Sequence, residues 1–127
     1  MQFTVSSSAL LKQLQAVGGA IGNNSTLPIL GDFLFSINGS TLTISATDLE
    51  TSMSAAIVVN ADRDGLIAVP AKIMLDMLKA LPEQPLLFKV NEDSFAIEIQ
   101  TLNGQYKLSG EDGNDFPRIP EANNNDN

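Results

Sequence analysis

Val5-Ser-Ser-Ser-Ala-Leu-Leu-Lys-Gln-Leu-Gln-Ala-Val17 returns, sixty-four residues later, as Val69-Pro-Ala-Lys-Ile-Met-Leu-Asp-Met-Leu-Lys-Ala-Leu81. Val5 aligns with Val69, Leu11 with Leu75, Leu14 with Leu78 and Ala16 with Ala80. In both copies an extended apolar segment runs straight into an amphipathic helix. Ser6, Ser7 or Ser8 can cap the first helix, and Gly18-Gly19 ends it. Pro70 suits the first turn of the second helix and holds Val69 extended, while Pro82 stops the helix. A segment that recurs in this form points to a fold built from two copies of one unit.

Both helices have readable faces. Leu10, Leu14, Val17 and Ile21 recur at helical spacing in the first, with Leu11 widening the stripe, while Ser8, Lys12 and Gln15 point elsewhere. Ile73, Met74, Met77, Leu78 and Leu81 are expected to form the buried side of the second. Lys72, Asp76 and Lys79 share its opposite stripe, either as a solvated Lys-Asp-Lys ion-pair row or as a face turned toward something anionic. Charge distribution bears on that choice. The chain carries a net −8, yet segments 6–21 and 70–81 hold three Lys and one Asp, which leaves −10 for the rest. An acidic protein keeps its helices mildly basic.

With 127 residues the chain is long enough for one domain with its own core. It has neither cysteine nor histidine, so there is no disulfide framework, no Cys or His metal site, and no thiol or imidazole for catalysis. Met1-Gln2-Phe3-Thr4-Val5 is already strand-like, and no apolar run approaches membrane-spanning length. The expectation is a cytoplasmic protein. Its acidity argues against a simple basic nucleic-acid binder, but not against a protein that gathers its few lysines on one inner surface.

Downstream of the first helix, Gly18 to Thr26 is a Gly- and Asn-rich loop. It leaves a helix and lacks a following Gly-Lys-Ser/Thr, so it is no phosphate cradle. Alternation then marks strands: Phe33, Phe35 and Ile37; Leu42, Ile44 and Ala46; Met53, Ala55, Ile57 and Val59. Asn38-Gly39 reads as a hairpin turn, and Asp62-Arg63-Asp64-Gly65 as another leading into Leu66–Val69. The second half repeats this order: Leu86 to Val90, a turn at Asn91-Glu92-Asp93, then Phe95, Ile97 and Ile99, a turn at Asn103-Gly104, and finally Tyr106 and Leu108. The pattern is strand–helix–strand–strand–strand, twice: an α+β fold of about eight antiparallel strands in two joined sheets, with two helices side by side on the inner face. Residues 1–120 make the domain, and the Asn- and Asp-rich 121–127 read as a linker or an added end.

Few residues offer chemistry. Asp48 and Glu50, two apart on one strand, point the same way and are the type of pair that holds Mg²⁺ or shares acid–base work, or else they cap a turn. Neither a third ligand nor a partner base is identifiable. Asp62-x-Asp64-Gly65 opens like a calcium loop, but Ile73 stands where such a loop needs its last acidic ligand. No catalytic residue, metal or cofactor is expected, and an enzyme is not.

Thr26-Leu27-Pro28-Ile29-Leu30, followed at fixed distance by Thr47-Asp48-Leu49-Glu50, together with Phe3-Thr4-Val5, Val69-Pro70-Ala71, Leu81-Pro82 and Phe116-Pro117, resembles the first domain of the bacterial DNA polymerase III beta sliding clamp family. The resemblance runs from Met1 to about Pro120. It implies a DNA clamp fold, with both helices lining a ring around duplex DNA held without regard to sequence. It also implies a processivity factor for the replicative polymerase, three such domains per subunit and a homodimeric ring. Lys72, Lys79 and Lys12 would face DNA. Asn24 stands where some members carry an Arg that touches DNA, though an amide cannot neutralise a phosphate. Tyr106, Leu108 and Ile73 would form the first-domain side of the subunit interface. Polymerase III subunits and the clamp loader would dock on later domains, and this chain would be about a third of a subunit. The alternative is a nonenzymatic module that binds partners through an open sheet edge near Tyr106. About 240 further residues holding two more such repeats in the parent gene would decide for the clamp.

Overall fold

Each half of the chain forms a strand, a helix and three more strands, and then a two-residue strand that the sequence pattern does not show. The computed structural model describes residues 1–18, 31–47, 52–102 and 104–116. The first half holds β1 (Gln2–Ser6), α1 (Ser7–Val17), β2 (Asp32–Asn38), β3 (Thr41–Thr47), β4 (Ser52–Val58) and the short β5 (Asn60–Ala61). The second holds β6 (Gly65–Pro70), α2 (Ala71–Ala80), β7 (Pro85–Val90), β8 (Ala96–Gln100), β9 (Gln105–Ser109) and the short β10 (Glu111–Asp112).

The two halves exchange their first strands. One five-stranded sheet has the order β5-β1-β7-β8-β9 and the other β10-β6-β2-β3-β4. A strand, a helix and a next strand placed side by side in one sheet would have to run parallel. Sending β1 into the second half's sheet and β6 into the first half's makes every pairing antiparallel. The two-fold relation extends to register. Phe3 pairs with Phe88 and Val5 with Leu86, as Ile67 pairs with Phe35 and Val69 with Phe33. β4 ends at the edge of one sheet and the chain continues as β5 at the edge of the other. β9 passes into β10 in the same way, so each sheet is tied to its neighbour at both margins.

The core gathers what alternation and helical spacing predict. Phe33, Phe35, Ile37, Leu42, Ile44 and Ala46 are buried, as are Leu10, Leu14 and Val17 from α1 and Ala71, Met74, Met77 and Leu78 from α2. Phe3 stacks on Phe88 with ring centroids 4.7 Å apart, and both meet Phe35 of the other sheet at 6.4 and 6.3 Å. This aromatic trio joins the sheets.

Several expectations need correction. Ile73 does not lie on the buried side of α2 and is 54% exposed. At 100° per residue Ile73 and Leu75 flank Met74 at equal angles, and the packing of α2 turns Leu75 toward the core and leaves Ile73 outside. The first hairpin turns on Gly39-Ser40 rather than Asn38-Gly39, because Asn38 still pairs with Thr41. Gly39 takes φ +66°, the glycine-first pattern of a II′ turn. Asp62–Gly65 is not a hairpin, since β5 and β6 belong to different sheets. Its carboxylates instead hold backbone amides, Asp62 from Gln2 at 2.8 Å and Asp64 from Gly39 at 2.7 Å. Phe95 belongs to the turn before β8, at φ +62°. Its amide donates to the Asn91 carbonyl and its own carbonyl accepts from Gly110. Met53, expected on a buried face, is 42% exposed, because β4 is the edge of its sheet. Ile21, Gly19, Asn103, Asp48 and Glu50 lie outside the described residues.

Candidate nucleic-acid interface

The two helices pack against one another. Their outer stripes carry Lys12 on α1 and Lys72, Asp76 and Lys79 on α2, all exposed. The Lys-Asp-Lys row is not an ion-pair ladder: both ion pairs among the described residues involve Glu92, with Arg63 and with the N-terminal amine. Lys12, Lys72 and Lys79 therefore present uncommitted ammonium groups, and Asp76 offsets one of them. Lys79 lies in the last turn of α2, where the helix dipole favours a cation.

A carboxylate from outside α1 fixes the orientation of the pair. Ser6 is the N-cap, and its hydroxyl accepts from the Ala9 amide at 3.3 Å. The Glu83 carboxylate, from the segment that leaves α2, accepts from the hydroxyls of Ser6, Ser7 and Ser8 and from the Ser8 amide. Those donors hold Glu83 down at about 2. Beside it, Ser7 and the buried Gln84 exchange bonds. The Ser7 amide donates to the Gln84 carbonyl at 2.9 Å, and the Gln84 amide donates to the Ser7 hydroxyl at 2.9 Å. The side chain of Gln84 then accepts from the Leu102 amide at 2.8 Å. The start of α1 is thus fastened to the exit of α2. Sequence reading found the serines but missed Glu83 and Gln84. A capping box would have shown an acidic residue three positions beyond the cap, whereas this one arrives from 77 positions away.

Tyr106 and Leu108 share one face of β9, the free edge of its sheet, opposite Ile99 and Ile97. Tyr106 is 41% exposed, while Leu108 packs partly against the core. Ile73 stands apart from them in chain and element, in the first turn of α2. Asn24 lies outside the described residues.

The family model for the DNA polymerase III beta subunit, N-terminal domain, matches residues 1–120. The chain belongs to this family. It is 34% identical over 122 residues to the beta sliding clamp of Vibrio harveyi, covering 95% of this chain and 83% of that relative. It is also 34% identical over 123 residues to the beta sliding clamp of Pseudomonas aeruginosa, covering 96% of this chain but 33% of the relative. The crystal structure of the P. aeruginosa DNA polymerase III subunit beta superposes with a TM-score of 0.87 at 34% identity, over 96% of this chain and 33% of that one. A putative DNA polymerase III beta subunit from Eubacterium rectale gives 0.92 at 26% identity, over 99% and 34%. The chain thus spans about a third of the length of the P. aeruginosa beta clamp and of both solved structures. The α+β architecture, two antiparallel sheets with two helices, is that of the beta clamp family.

Proposed function

We propose that this chain acts as the first domain of a ring-shaped sliding clamp, a nonenzymatic processivity factor that encircles duplex DNA and tethers the replicative polymerase. Residues 1–120 form the domain and 121–127 a linker or an added end. The observation that carries the reading is the pair of adjacent helices showing three unpaired lysines in a protein of net charge −8. A ring holds DNA by topology, so its inner wall needs attraction weak enough for the duplex to slide. Three lysines neutralise at most about three phosphates, a salt slope near −3 per domain, while the acidic remainder repels DNA elsewhere. Lys72, Lys79 and Lys12 face the phosphates, and Asn24 adds hydrogen bonds but no charge. Tyr106 and Leu108 on the free edge, with Ile73, form this domain's side of the homodimer interface. Polymerase III subunits and the clamp loader dock on later domains.

The test uses the full-length ring loaded on circular duplex DNA. Lys72→Glu with Lys79→Glu leaves folding intact, because both side chains are exposed, but reverses four charge units per domain. Loading or retention is expected to fall, while Glu98→Lys on β8 leaves both unchanged. Equal loading and retention for the double variant and wild type would refute this orientation of the helices.

A further inference from the structure

Asn38-Gly39 is the kind of dipeptide in which an asparagine reacts with its own chain, because glycine leaves the following amide nitrogen unshielded. The reaction is spontaneous. The Gly39 nitrogen gives its proton to base and attacks Cγ of Asn38. The new N–C bond closes a succinimide ring, the Cγ–Nδ2 bond breaks, and ammonia leaves. Water then opens the ring at either carbonyl, which gives aspartate or isoaspartate at position 38. Only base and water are consumed, and Asn38 is exposed to both.

The fold opposes each stage. Asn38 is still part of β2 and pairs with Thr41, so its backbone is extended, and ring closure requires its ψ to leave the strand region. Both central residues of the turn are also tied from outside. The Gly39 amide donates to Asp64 Oδ1 at 2.7 Å, and the Ser40 carbonyl accepts from the Val59 amide at 2.9 Å. The nitrogen that would attack is therefore the one that Asp64 holds. A carboxylate in that place keeps the proton on the nitrogen, because its charge opposes an amide anion. Its neighbours have other partners: Asp62 accepts from the Gln2 amide, and Arg63 pairs with Glu92.

We infer that Asn38 is a site of spontaneous deamidation and that Asp64, by holding the Gly39 amide, sets how slowly it converts. The product explains why the rate matters. Aspartate at 38 adds a negative charge next to the residue whose amide Asp64 holds. Isoaspartate adds a methylene to the backbone at the end of β2 and breaks the pairing with Thr41. Either change loosens the turn from the segment around β5, which carries the chain from one sheet to the other. Loss of one amide–carboxylate bond lets the turn open about tenfold more often.

The test ages the chain at mildly alkaline pH and follows amide-to-acid conversion at Asn38 by peptide mass spectrometry. The same chain unfolded in urea gives the unprotected rate, with Asn103-Gly104, the other Asn-Gly pair, as its calibrant. Folded wild type is expected to convert Asn38 well below the urea rate. Asp64→Ala should raise the folded rate about tenfold. Asp62→Ala, which removes a carboxylate from the same segment but leaves the Gly39 amide held, should not change it. Equal rates in wild type and Asp64→Ala, or the same acceleration in Asp62→Ala, would overturn the proposal. Should Asp64→Ala not fold, amide exchange of wild type decides: a protected Gly39 amide supports the assignment, and one that exchanges at the unfolded rate overturns it.

Discussion

Replacing Phe88 by alanine tests whether the strand exchange makes the two halves one cooperative unit. Phe88 is 1% exposed, stacks on Phe3 at 4.7 Å and meets Phe35 of the opposite sheet at 6.3 Å. Phe3 and Phe35 come from the first half of the chain and Phe88 from the second, so the site joins both halves as well as both sheets. Truncating a buried phenylalanine destabilises by about 3–5 kcal/mol. The upper part of that range applies here, because two ring contacts worth about 0.5–1.5 kcal/mol each are lost with it. A domain of this size has roughly 6–19 kcal/mol in all, and the melting temperature should fall by about 15 °C. Urea unfolding followed by far-UV circular dichroism reports both sheets, and fluorescence of Tyr106, the sole tyrosine in a chain without tryptophan, reports the β1-β7-β8-β9 sheet. The two transitions should coincide in wild type and variant, and double-variant cycles with Phe3→Ala and Phe35→Ala should show coupling of about 0.5 kcal/mol or more. A loss below about 1.5 kcal/mol, or transitions that separate by probe, would refute the claim that the aromatic trio binds the halves into one unit.

Gly110→Ala should destabilise by about 1–3 kcal/mol in thermal unfolding, since its new Cβ would lie 2.9 Å from the carbonyls of Ala68 and Phe95 and from the Ile97 side chain. Glu83 is held at about 2 in the fold against 4.5 as its ordinary value, so its contribution is complete above pH about 4.5 and disappears as pH falls toward 2. Acid unfolding of Glu83→Gln should accordingly be flatter than wild type across that interval, and parallel curves would show the serine contacts to be idle. The chain by itself is expected to scatter light as a monomer at micromolar concentration, because the proposed partner of the β9 edge belongs to a different domain. A tight symmetric dimer that disappears in Leu108→Asp would overturn that interface.

Sequence determined a good deal by itself. The repeat at Val5 and Val69, both helices, the strands at Phe33–Ile37 and Leu42–Ala46, and the basic bias of the helices were all readable, because spacing and charge are properties of neighbouring residues. Ile73 shows where that ends. It continues an apolar run, but only the packing of α2 decided that Leu75 turns inward and Ile73 outward. Strand partnership lay further out of reach. Alternation marks which face of a strand is buried but not which strand lies beside it, so β1 and β6 read as members of their own halves although each pairs in the other's sheet. The same holds for Glu83 at the serines of α1 and for Gln84 at Ser7. Each joins groups more than seventy residues apart, and no local pattern encodes such a meeting. Tertiary structure decided them because only the completed fold brings the exit of α2 to the start of α1.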